Sequence, residues 1–90
     1  MIVFPRKIKG RENAPSISIP KSIADTYGLL PDDYVNVTLK KTPKDIEEIR
    51  FAKKIAKSGT QGTLLYIPIK IVREYGLQRG MTFWVYIEEV

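Results

Sequence analysis

Cysteine and histidine are both missing from this chain of 90 residues. Without cysteine there is no disulfide framework, and without either residue there is no zinc site built from the commonest ligands. The same absences remove Cys/His and Ser/His/Asp nucleophile arrangements. The acids that do cluster, Asp45, Glu47 and Glu48 and separately Glu88 and Glu89, have no spaced third ligand or base beside them, so they read as capping and solubilising groups. Neither enzymatic activity nor a cofactor is expected. No apolar run approaches the roughly 18 residues that a membrane span requires. The start Met1-Ile2-Val3-Phe4-Pro5-Arg6 lacks a basic region followed by an apolar stretch and a small-residue cleavage site. No membrane partner is expected, and the expected location is cytoplasmic.

Negative charge is also in short supply. Ten Asp plus Glu stand against 15 Lys plus Arg, a net charge of +5, which favours an anionic partner. Hydrophobic residues at 43% with charged residues at 28% place the chain among folded domains rather than disordered tails. Its length allows one core and a modest one.

What organises the chain is an internal repeat. With Pro20 set over Pro68, an offset of 48 (68 − 20), Ile19 meets Ile67, Ile23 meets Ile71, Tyr27-Gly28-Leu29 meets Tyr75-Gly76-Leu77 and Val37 meets Val85. One residue of slip extends the match upstream, where Phe4, Arg6, Lys7 and Ile8 overlie Phe51, Lys53, Lys54 and Ile55 at an offset of 47 (51 − 4). The chain therefore divides into repeat 1 over residues 1–41, a linker over 42–48 and repeat 2 over 49–90, forming a single domain.

Each repeat reads as strand, loop, strand, short helix, turn, strand. Alternation predicts opening strands over 2–9 and 49–57, with Phe4, Arg6 and Ile8, and likewise Phe51, Lys53 and Ile55, on one face. Gly10, Asn13 and Pro15 mark the loop of the first repeat, and Ser58, Gly59 and Gly62 that of the second. Short strands follow over 16–19 and 63–67. Pro20 and Pro68 suit the first position of a helix, and Gly28 and Gly76 suit a left-handed C-terminal cap. Ile23 with Tyr27, and Ile71 with Tyr75, are four apart and share one helix face. Turns at 31–33 and 78–80 lead into strands over 34–40 and 82–87, where Phe83, Val85 and Ile87 alternate as core and leave Trp84 and Tyr86 on the other face. In the linker, Thr42 as N-cap, Pro43 and the acids after it predict one helical turn.

The segments Ser18-Ile19-Pro20-Lys21-Ser22-Ile23 through Tyr27-Gly28-Leu29-Leu30-Pro31-Asp32-Asp33 and Tyr66-Ile67-Pro68-Ile69-Lys70-Ile71 through Tyr75-Gly76-Leu77-Gln78-Arg79-Gly80-Met81 resemble, twice over, the AbrB or SpoVT-AbrB swapped-hairpin DNA-binding domain. The resemblance implies a mostly β fold with short helices, in which two copies exchange hairpins to build one small β-barrel. Here both copies lie on one chain, so the expected product is an intramolecular pseudo-dimer. The size argument agrees, because a unit of about 45 residues buries too little to fold alone.

The cations at the start of each repeat, Arg6, Lys7, Lys9 and Arg11, then Lys53, Lys54 and Lys57, are the candidate DNA-binding residues. Their recurrence suits a duplex, whose phosphates meet a two-fold binder at regular spacing. The resemblance implies that these strands and their loops enter the major groove, and that a helix arginine also contributes, which only Arg73 supplies. Lysines would grip phosphates, while Arg6 and Arg11 could reach guanine edges. Roughly six phosphate contacts would give a log–log salt slope of about −5. The expected function is a double-stranded DNA-binding, nucleoid-associated transcriptional regulator, with room for further homo-oligomerisation. The alternatives are an antitoxin-like component that binds a toxin protein, and a structural oligomerisation module.

Overall fold

Alternating apolar residues make the strands, and a bend within each opening segment sends them into two different sheets. The computed structural model describes residues 2–58 and 62–89, so the predicted loop residue Gly59 lies outside the described residues. The first half contains β1 (Ile2–Lys7), β2 (Lys9–Arg11), β3 (Ala14–Ser18), α1 (Lys21–Tyr27) and β4 (Tyr34–Lys40). The second contains β5 (Ile49–Lys54), β6 (Ala56–Ser58), β7 (Gly62–Tyr66), α2 (Ile69–Tyr75) and β8 (Thr82–Glu89).

The strands form two antiparallel four-stranded sheets, in the orders β1-β8-β4-β5 and β2-β3-β7-β6. Each half thus lends strands to the other. β1 pairs with β8 and β5 with β4, while β4·β8 and β3·β7 join the halves at the sheet centres. The registers are those that a twofold between the repeats requires. Thr38 faces Tyr86 and Ile17 faces Leu65, each pair separated by the repeat offset of 48 (86 − 38 and 65 − 17).

Between the sheets lies one shared core. Phe4, Val37, Leu39, Phe83, Val85 and Ile87 come from the first sheet and meet Ile17 and Leu65 of the second, all buried. Burying such a side chain stabilises the fold by about 1.5–3 kcal/mol each. Neither repeat could assemble this core alone, since the central ladders of both sheets require a strand from each.

Several expectations are corrected. The ladders of the described residues do not close into one barrel but leave β1 and β5, and β2 and β6, as edges of two sheets. Each opening strand is two strands, broken at the buried Ile8 and Ile55, whose alternation carries on through the corner. Gly10, Pro15, Ser58 and Gly62 lie within strands rather than loops. Pro20 and Pro68 sit just before the helices with extended ψ of 136° and 134°, so the first helical residues are Lys21 and Ile69. Tyr27 and Tyr75 end their helices exposed, while packing is carried by Ile23 and Ala24 in α1 and by Ile71 and Val72 in α2. Gly28 and Gly76 do cap the helices in the left-handed region, at φ 64° and 62°, with their neighbours Leu29 and Leu77 donating back to the carbonyls of Ala24 and Val72.

The linker is not helical. Asp45 donates its backbone N–H to the Thr42 carbonyl and accepts from the Thr42 N–H on its carboxylate, at 3.1 Å each, closing a single turn. A side chain of this kind offers the backbone an alternative to helix formation.

Gly10 is the position where glycine is required. Its φ is 93°, and a Cβ there would stand 2.6 Å from the Ala14 carbonyl oxygen and 2.9 Å from Ser16 Oγ. Gly10→Ala is expected to lower stability by about 1–3 kcal/mol, because strain and backbone overlap act together. Urea denaturation would read this as a lower midpoint at unchanged slope.

Candidate nucleic-acid interface

The corner at Ile8 brings four cations to one place. Ile8 is buried and donates its N–H to the Met81 carbonyl at 2.8 Å, while the Gly80 N–H donates to the Ile8 carbonyl at 2.9 Å. These bonds fasten the 78–80 turn against the junction of β1 and β2. Lys7 ends β1, and Lys9 and Arg11 lie on β2, all three exposed. Arg79 reaches them from the turn, with Nη1 donating to the Gly10 carbonyl at 3.4 Å. Lys7, Lys9 and Arg79 line a shallow groove of about 730 Å³ whose walls also include Gly10, Glu12 and Gln78. Anchored by a buried residue and a pair of backbone bonds, this corner is a preformed cationic surface suited to phosphate oxygens.

The repeat-related corner has the same backbone and different chemistry. Asp32 donates its N–H to the Ile55 carbonyl at 2.8 Å, and Ile55 donates to the Asp33 carbonyl at 2.9 Å, matching the bonds around Ile8. Lys54 and Lys57 are exposed there. Where the first corner has Lys9 and Arg79, this one has Ala56 and Pro31, and Asp32 and Asp33 stand in place of Gly80 and Met81.

Arg6 and Lys53 share the core-facing side of their strands and are half-buried. Arg6 Nε donates to the Ser18 carbonyl at 3.1 Å and to Ser18 Oγ at 3.0 Å, so this nitrogen ties β1 to β3 across the two sheets. Arg73 is exposed in the last turn of α2, on neither corner, where a cation complements the helix dipole. The structure thus brings together Lys7, Lys9 and Arg11, sets Lys54 and Lys57 on the related corner, and leaves Arg6, Lys53 and Arg73 apart from both.

Arg79 is the member that sequence reasoning missed. Its counterpart is Pro31, so a search for cations recurring at the repeat spacing passes over it. Two other cations share a single carboxylate on the outer face of the first sheet. Glu48 pairs with Arg50 and, at 3.3 Å, with Lys40, whose ammonium lies 5.5 Å from the Tyr86 ring centre. Hydrogen bonds from Arg50 and then Lys40 hold the Glu48 carboxyl below its ordinary value. This surface pairing, with Lys40 and Glu48 half-buried, is therefore present at neutral pH and lost as pH falls through that lowered value.

Among the described residues no group of three or more acidic side chains is placed to hold a metal ion, and no helix is long and apolar enough to cross a membrane. No family model matches the chain, and no curated protein matches it in sequence. Its fold is similar to the solution structure of PHS018 from Pyrococcus horikoshii, with a TM-score of 0.72 and 20% identity, over 97% of this chain and 88% of that one. At that identity the likeness concerns the fold alone.

Proposed function

We propose that this protein binds double-stranded DNA, as a transcriptional regulator or nucleoid-associated protein, and that the corner of Lys7, Lys9, Arg11 and Arg79 makes the phosphate contacts. The observation that carries this reading is the convergence of four exposed cations on a hydrogen-bonded junction in a chain of net charge +5. The exchange of strands between the repeats supports the AbrB-like, swapped-hairpin interpretation of the fold, and with it an intramolecular pseudo-dimer. Lysine at such a corner grips phosphate without reading sequence, and Arg11 is the residue best suited to a base edge, because the planar guanidinium can bond guanine with two hydrogens.

Four phosphate contacts imply a log–log dependence of affinity on salt with a slope of about −3.6, shallower than the value of about −5 expected from two full patches. Fluorescence anisotropy of a labelled duplex across a salt series measures it. A flat dependence, or no binding at low salt, would remove DNA as the partner.

A further inference from the structure

The turn over residues 30–34 carries surface chemistry that its fold does not require. Its repeat-related partner over 78–82 makes the same backbone bonds with Gln78, Arg79 and Thr82 where this turn has Leu30, Pro31 and Tyr34. Leu30 is 63% and Tyr34 52% exposed, so neither supports the core. Tyr34 stands opposite Lys54 at the end of the β4·β5 ladder, and Asp32 is bonded to Ile55 next to it, which gathers Leu30, Pro31, Tyr34, Asp32 and Lys54 into one patch. Asp32 also holds φ at 74°, where the related turn uses Gly80. Aspartate tolerates this region at more cost than glycine, and such costs concentrate at working surfaces.

We propose that this patch is a self-association surface and that its occupant is a second copy of the same chain. Two chains of net charge +5 repel each other over most approaches. This corner is charge-balanced, with Asp32 and Asp33 against Lys54 and Lys57. Across a twofold, the acids of one copy face the lysines of the other, and a self-complementary set is what an isologous contact requires. Leu30, Pro31 and Tyr34 supply the apolar centre, tyrosine being among the residues enriched at such contacts. The patch is small, so the dimer is weak and concentration-dependent. Each dimer presents two cationic corners, one per chain. The proposal does not depend on what those corners bind.

Sedimentation equilibrium of the full chain over a concentration series tests it. The unmodified chain should pass from one-chain to two-chain mass as concentration rises, and Leu30→Gln/Tyr34→Thr should remain at one-chain mass throughout. That double variant imports the residues that the related turn already carries, and an unchanged melting curve confirms that it folds. Ile69→Gln, which alters an exposed apolar residue at the start of α2, should associate as the unmodified chain does. A wild-type chain that stays monomeric, a double variant that dimerises as tightly, or loss of the dimer in Ile69→Gln overturns the proposal.

Discussion

Phe83→Ala is expected to cost about 3–5 kcal/mol of folding stability. Phe83 is 1% exposed and lies on β8, which is hydrogen-bonded to both β1 and β4. Truncating it opens a cavity on one of the two central strands of that sheet. A domain of this size has about 5–13 kcal/mol of stability in total, so a single cavity consumes much of it. At about 4–8 °C per kcal/mol the midpoint should fall by at least about 12 °C in a thermal melt followed by circular dichroism. Tyr75→Ala, at a half-exposed helix end, should move it by no more than a few degrees. A Phe83→Ala shift as small as that of Tyr75→Ala would mean that the shared core is not where the stability lies.

The repeat was legible because its punctuation is chemical. Proline before each helix, glycine after it, and valines and isoleucines at period two leave little freedom, and β4 spans the residues 34–40 that alternation predicts. The corners at Ile8 and Ile55 were not legible, because Phe4, Arg6 and Ile8 keep one period through the bend, and alternation reports which face a residue takes but not which sheet. The linker misled for a different reason. Thr42, Pro43 and three acids make a good helix start, yet so short a segment cannot sustain a helix without an apolar face to pack. At the site, recurrence identified Lys7 with Lys54 correctly as related positions. It also implied equal corners, and side chains placed on equivalent backbones have diverged.

That divergence yields the sharpest expectation for binding. Lys9→Ala/Arg79→Ala removes two of the four cations at the first corner and should reduce the salt slope for duplex DNA by about two, from about −3.6 toward about −1.8, with weaker affinity on every sequence tested. Lys54→Ala/Lys57→Ala alters the related corner, where Asp32 and Asp33 already oppose phosphate, and should leave slope and affinity nearly unchanged. Both pairs are exposed, so neither should shift the melting midpoint by more than a few degrees. Equal losses from the two double variants would show a duplex gripped symmetrically by both repeats, as the sequence recurrence suggests. Loss from the first alone would mean that a two-fold scaffold presents a one-sided cationic face, so that the chain lies on DNA in a defined orientation and a palindromic site is filled by two chains rather than by the two halves of one.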